Sequence, residues 1–254
     1  MYKIANWNLE RPKSDTKKTK LAIAKIIEIN ADVIVLTETS KSVDLSKVYP
    51  FEISTKSYDR TPNEQWVTIW SKWEITKQIE TFDNYRIVSG IIKSSFGDII
   101  VFGTIIPYHQ AGVSGIRYGN FKYKNWEYHE KDLHAQGQNW ENLIKTEKLP
   151  LFVIGDFNQS RFNIKGYGTE KVRQILTDIL TKLDLKCVTE IDFSKKYLTE
   201  DPIKKKVRNN IDHICISNNL LKNFSKLEVG AWNHFTEKGE FMSDHNGVYI
   251  EFEI

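Results

Sequence analysis

Cysteine is nearly absent: Cys187 and Cys215 are the only two in 254 residues. Two thiols build no disulfide framework, and no second pair completes a zinc site. Both lie among apolar neighbours, in Leu-Lys-Cys-Val and His-Ile-Cys-Ile, and read as buried, reduced side chains. Long apolar runs are missing too. No stretch approaches the length of a membrane span, and the opening Tyr2-Lys3-Ile4-Ala5-Asn6-Trp7 is short and strand-like, without a signal-peptide core. The expectation is a cytoplasmic monomer. Neither charge sign dominates: 36 Lys+Arg against 33 Asp+Glu leaves +3, which by itself argues for no nucleic-acid partner. The 6 Pro and 13 Gly are scattered, and neither repeats nor low-complexity linkers occur, so one domain over 1–254 is the simplest reading.

What is present is material for a large core. Hydrophobic residues make up 40% of the chain, with 7 Trp, 11 Tyr and 13 Phe, so no metal or disulfide staple is needed for folding. The coarse pattern mixes helices and strands. Residues 2–7 read as a strand, 16–29 as a helix with Leu21, Ala24 and Ile27 in its apolar stripe, and 32–37 as a buried strand. Residues 66–71, 86–94 and 98–106 read as further strands, with Gly97-Asp98 as a hairpin turn. Helices are expected over 130–146 and 170–183, and strands over 151–155, 211–217 and 248–254. Helices join some strands and hairpins join others, which predicts a layered α/β fold with mixed sheets.

Polar residues recur at the ends of these strands. Asn8 follows the first, Glu38 follows Val33-Ile34-Val35-Leu36-Thr37, and Asp156 and Asn158 follow Leu151-Phe152-Val153-Ile154-Gly155. Asp212 opens a strand, and Asp244 and His245 precede the last one. In a mixed sheet the end of one strand and the start of an antiparallel neighbour share an edge, so these groups can meet on one rim. Carboxylate oxygens suit hard divalent cations, which polarise phosphoryl groups. Amides orient a water or phosphate oxygen without adding charge, and a histidine beside a carboxylate serves as acid or base. Any one Asp at a strand end is ordinarily a turn or cap residue. The joint occurrence in order is what carries weight.

Those segments resemble the endonuclease/exonuclease/phosphatase superfamily of metal-dependent phosphoesterases. The matching motifs are Trp7-Asn8-Leu9, Leu36-Thr37-Glu38-Thr39, Ile154-Gly155-Asp156-Phe157-Asn158, Asn210-Ile211-Asp212-His213-Ile214 and Ser243-Asp244-His245. The resemblance implies a four-layer α/β sandwich with two central mixed sheets flanked by helices. It implies Mg²⁺ or Mn²⁺ as cofactor, with Glu38 as main ligand and Asn8 and Asp244 nearby. Asp156 and Asn158 would position the attacking water and the phosphate, and His245, held by Asp212, would contact the scissile phosphate. The superfamily places a His or Tyr after a mid-chain strand. Here Tyr108 and His109 both stand at that point; His109 is favoured as catalytic and Tyr108 as a substrate contact. His213 is set aside, because alternation points it to the opposite face from Asp212.

Two segments bear on substrate. Residues 116–129 interleave Arg117 and Lys with Tyr, Phe and Trp, a combination that neutralises phosphates and stacks on bases, or else packs its aromatics on the body of the protein. Residues 194–210 carry Lys195, Lys196, Lys204, Lys205, Lys206 and Arg208, which read either as a solvated loop or as phosphate contacts, Arg208 foremost. The leading expectation is a nuclease acting on DNA or RNA. The alternatives are a phosphatase or phospholipase acting on a small phosphorylated molecule or lipid headgroup, and a binding scaffold without catalysis.

Overall fold

The computed structural model describes residues 1–114, 122–162 and 165–254. In chain order the elements are β1 (Tyr2–Asn8), α1 (Lys17–Ile29), β2 (Val33–Ser40), β3 (Phe51–Ser54), β4 (Glu64–Ser71), β5 (Ile75–Ile79), β6 (Ile87–Ser94) and β7 (Gly97–Ile105). Then follow α2 (Glu127–Glu147), β8 (Leu151–Asp156), α3 (Glu170–Lys182), β9 (Leu185–Cys187), a 3₁₀ turn (Phe193–Lys195), β10 (Asp212–Ser217), α4 (Asn218–Leu221), β11 (Lys226–Trp232) and β12 (Gly247–Glu253).

The strands form two six-stranded sheets, ordered β11-β12-β1-β2-β4-β3 and β5-β6-β7-β8-β10-β9. Each has one parallel pair, β1 with β2 and β7 with β8, and is otherwise antiparallel. Alternation sorts their residues. Ile4, Val33, Val35, Val67 and Ile69 of the first sheet meet Val88, Val101, Phe152, Ile154 and Ile214 of the second. The intervening residues face outward. Ala5, Trp7, Ile34 and Leu36 are covered by Ala22 and Ile26 of α1, while Phe102, Leu151 and Val153 are covered by Leu133 and Trp140 of α2 and Leu176 of α3. The result is a four-layer sandwich. Trp140 is fully buried, and truncating such a side chain costs about 3–5 kcal/mol.

Local chemistry sets the helix ends. Thr16 and Thr169 accept hydrogen bonds from the Thr19 and Val172 amides, closing the first turns of α1 and α3, and Asn30 in the left-handed region ends α1. The helix read at 130–146 begins earlier, at Glu127. It starts from Trp126 at φ 70° with no side-chain cap, so its onset lacks a sequence marker.

Three expectations need correction. The buried stripe of α1 runs through Ala22 and Ile26, while Ala24 and Ile27 turn outward and are exposed. The β6–β7 turn is not Gly97-Asp98. Ser94 pairs with Gly97, so Ser95 and Phe96 form the turn, and Gly97 at φ +121° takes the backbone out of it. The strands missing from the sequence reading are β3, β5, β9 and β11. These are the four sheet edges: β3, β5 and β9 are short, and β11 opens on exposed Lys226 and Leu227.

Candidate active site

The alternation that builds the core also builds the site. Along β1 the inward positions run Ile4, Asn6, Asn8, so two amides follow an aliphatic side chain into the space between the sheets. Along β8 they run Phe152, Ile154, Asp156, and along β10 in reverse Ile216, Ile214, Asp212. Asp212 and Asp156 are direct partners in the antiparallel register. Apolar core thus gives way to polar groups at one end of the sandwich. The Asn6 Nδ2 donates to Asp212 Oδ1 at 3.2 Å and the Asn8 Nδ2 to Asp156 Oδ2 at 3.1 Å, each bridging one sheet to the other.

The turn after β8 is shaped by its backbone. Gly155 lies at φ +155°, and a Cβ there would meet the Thr104 carbonyl oxygen at 1.8 Å, so only glycine fits against β7. Asn158, at φ 48°, folds its side chain back: its Nδ2 donates to Asp156 Oδ2 (3.0 Å) and to the Ile106 carbonyl (2.9 Å), and its backbone amide to Asp156 Oδ1 (2.9 Å). Asp156 is therefore held by donors on both oxygens.

His245 reaches the pair from the other sheet. Its Nδ1 donates to Asp212 Oδ2 at 2.6 Å. Its backbone is fixed by the Trp7 indole on its carbonyl (2.7 Å) and by Ser243 Oγ on its amide (3.1 Å), and Ser243 in turn donates to the Asn8 carbonyl. Burial works against the imidazolium, but Asp212 and Asp156 outweigh it and raise the pKa to about 10. Burial, with Asp212 and Glu38 nearby, pushes Asp156 up to about 7, although the positive His245 opposes the rise. The two carboxylates thus favour the imidazolium form of His245, and burial favours the protonated form of Asp156.

Asp156, Asp212 and His245 lie buried with their ligand atoms within 4.8 Å of one another. Buried like charges in direct register are unfavourable unless a cation offsets them. Asn6 Oδ1 is buried there without a partner. Because His245 Nδ1 is committed to Asp212, the remaining donors are mostly oxygen, the chemistry of a hard divalent cation. The residues present fit such an ion.

The other expected residues are placed as follows. Glu38 interrupts β2 at φ 44°, and its carboxylate pairs with Arg11, whose guanidinium lies 5.6 Å from the Trp66 ring. Asp244 is half-exposed on the outer side of His245, 3.8 Å from His245 Nε2 and 3.8 Å from Arg208. The structure does not bring Glu38 or Asp244 into the Asp156–Asp212–His245 group. The His109 Nδ1 is 2.7 Å from the Tyr167 hydroxyl, which also accepts the His109 amide (3.2 Å). Tyr167, rather than His109, lines the cavity, and burial raises its pKa to about 12. Tyr108 packs against the inter-sheet core. Arg117 lies outside the described residues. His213 points to the far face, bonded to Thr189 Oγ1 (3.0 Å) and the Gln159 carbonyl (3.0 Å). Asn6, Arg11 and Tyr167 went unread in the sequence. Of these only Asn6 had a signal, since Asn6-x-Asn8 puts two amides on one strand face.

A cavity of ≈ 550 Å³ opens from His245 and Asn158 and is walled by Tyr167, Lys204, Lys206 and Arg208. Fold and site together define a phosphoric ester hydrolase of the metal-assisted kind. The sequence model of the Endonuclease/Exonuclease/phosphatase family matches residues 5–245, and the chain belongs to that family, which is divalent-metal dependent. Solved structures share the fold. A 3'-5' exonuclease from Neisseria meningitidis has a TM-score of 0.70 at 18% identity, covering 99% of this chain and 100% of its own. An AP endonuclease from Archaeoglobus fulgidus has 0.68 at 17%, covering 100% of both. A 3' phosphatase from Neisseria, bound to a product DNA hairpin, also has 0.68 at 17% with 100% of both covered. No curated protein matches the chain significantly by sequence. Among the described residues no helix is long and apolar enough to cross a membrane.

Proposed function

We propose that the chain is a nuclease that hydrolyses phosphodiesters of DNA or RNA with Mg²⁺ or Mn²⁺. The observation that carries this reading is the basic wall. Lys204, Lys206 and Arg208 line the cavity that ends at His245 and Asn158, so a chain of phosphates laid along that wall would bring one of them to the buried carboxylates. The exonuclease, the AP endonuclease and the DNA-bound phosphatase that share the fold are in keeping with it.

The roles follow from the geometry. Asp156 accepts a proton from an attacking water, and Asn158 orients that water or a phosphoryl oxygen. The His245 imidazolium, fixed by Asp212, donates to the non-bridging oxygen on which charge develops. Glu38 and Asn8 supply oxygen ligands for the cation, which offsets phosphoryl charge and activates water when bound. Asp244 either joins that ligand set or steadies Arg208. His109 acts through Tyr167. Arg208, Tyr108 and Arg117 are assigned to substrate.

The experiment is a panel of single-stranded, duplex, abasic and 3'-phosphorylated DNA and RNA with added Mg²⁺ or Mn²⁺, with Asp156→Asn as control. Cleavage abolished by EDTA supports the reading. Intact nucleic acid, with phosphate released from inositol phosphates or headgroup from sphingomyelin, replaces it with the phosphatase or phospholipase alternative.

A further inference from the structure

The basic wall belongs to a strap, residues 201–208, whose two ends are tied to one buried histidine network. At its start Asp201 Oδ1 accepts the amides of Ile203 and Lys204, both at 2.7 Å, and the Asp201 amide donates to the Lys206 carbonyl at 3.0 Å. At its end the Arg208 carbonyl accepts Asn246 Nδ2 at 3.2 Å. Between the ends stands His234, outside β11 and absent from every motif. Its Nε2 is 3.0 Å from Asp201 Oδ2, and its Nδ1 is 2.8 Å from Asn246 Oδ1. The His234 and Asp201 side chains are each 3% exposed.

The two ring nitrogens of His234 meet different partners. Asn246 Oδ1 is an acceptor, because it also takes the His234 backbone amide at 3.1 Å while its Nδ2 serves Arg208. Asp201 Oδ2 belongs to a carboxylate. The ring Nε2–H thus donates to Asp201, while Asn246 Oδ1 already accepts a backbone amide beside the ring Nδ1. The rings of Phe235 and Phe241 lie 5.0 and 5.5 Å from the His234 ring. Asp201 is the charged group bonded to the ring among the described residues. Removing the ring would take the donor from Asp201 Oδ2, and the strap would lose one of its ties.

We propose that His234 is a positioning residue for substrate phosphate: through Asp201 it ties the start of the strap to Asn246, the neighbour of His245, and so sets where Lys204, Lys206 and Arg208 meet a polyanion. The inference rests on the reading of the strap as the phosphate-binding wall. Rigid placement matters because three flexible basic side chains recruit a phosphate chain well only if their backbone is already ordered.

The test uses the full chain with Mg²⁺. Ring ¹⁵N shifts of His234, assigned by its loss in His234→Gln, are expected to show Nε2 hydrogen-bonded as a donor and to change in Asp201→Asn. On single-stranded DNA, His234→Gln and Asp201→Asn are each expected to raise KM about tenfold while kcat stays within about twofold. A folded His234→Gln with unchanged KM overturns the proposal. Should His234→Gln not fold, the KM of Asp201→Asn decides the same point. If wild type cleaves no nucleic acid, the nuclease reading fails separately. The affinity of wild type and Asp201→Asn for inorganic tripolyphosphate, by calorimetry, then tests the strap: equal affinities overturn the proposal, and weaker binding by the variant supports it.

Discussion

Asp212 and Asp156 stand directly opposite each other in the β8–β10 ladder, and the imidazole of His245 is bonded to the first of them. Two buried carboxylates in register share one nearby positive ring. This arrangement disfavours the metal-free fold and favours whatever brings a further positive charge, so stability and chemistry are coupled at one place.

Removing one carboxylate should therefore separate the two. In chelator, Asp156→Asn is expected to melt at a higher temperature than wild type, while its activity is lost. The pH dependence has a definite sign. Asp156 has a folded pKa of about 7, above its ordinary 3.8, so the folded state holds the extra proton between those values. Its contribution to stability is present at low pH and is lost as pH rises through about 7. Melting curves of both proteins across pH 4–8 check this, because the difference between them should grow toward the alkaline end, and added Mg²⁺ should shrink it.

Asp212→Asn keeps a group of the same shape beside His245 but removes the charge that favours the imidazolium. A loss of about 10²–10⁴-fold in kcat is expected. The alkaline limb of the rate profile, set in wild type by a His245 pKa near 10, should move to lower pH. An unmoved limb in kcat/KM against pH would remove His245 from the proton inventory.

His129 is buried in α2 and positions the loop behind the site. Its Nδ1 donates to the Pro107 carbonyl at 2.6 Å, and its Nε2 faces Gln159 Nε2 at 3.3 Å, which identifies the neutral ring. Burial lowers its pKa to about 4. The unfolded chain binds this proton between about 6.5 and 4, so wild type should lose about 3 kcal/mol over that interval, and His129→Leu should not. The substitution itself should cost about 1–3 kcal/mol by leaving the Pro107 carbonyl unpaired. Urea titrations at the two pH values measure both effects.

Gly155→Ala places a methyl group against the Thr104 carbonyl at 1.8 Å. Because backbone rather than a flexible side chain must yield, a destabilisation on the order of 3 kcal/mol is expected. Denaturant unfolding checks it.

On the nuclease reading, Arg208→Ala and Lys206→Ala should weaken single-stranded DNA binding without changing base preference. Each lost phosphate contact should lower the slope of log affinity against log salt by about 0.7. Fluorescence titrations at several salt concentrations provide the slopes.

Much of the fold was legible because central strands are buried on both faces and read as continuous apolar runs. Val33-Ile34-Val35-Leu36 and Leu151-Phe152-Val153-Ile154 announce themselves. The edge strands β3, β5, β9 and β11 did not, because an edge is half solvated and its pairing is decided by the neighbour already in place. The site divides along the same line. Asp156, Asn158, Asp212 and His245 were legible as polar residues interrupting apolar strands. Asn6 was hidden inside a strand, Arg11 and Tyr167 in loops, and His234 in a segment with no pattern.

By itself, the sequence determined the inward and outward faces of the central strands, and hence that Asn8, Asp156 and Asp212 emerge where the apolar layer ends. That follows from a side-chain period of two, a local property of the backbone. The tertiary structure alone decided the register that sets Asp212 opposite Asp156, the crossing of Asn6 and Asn8 from one sheet to the other, and the meeting of His234 with Asp201 and Asn246. Those depend on which distant strands and loops pack together, and no local preference of the chain encodes that.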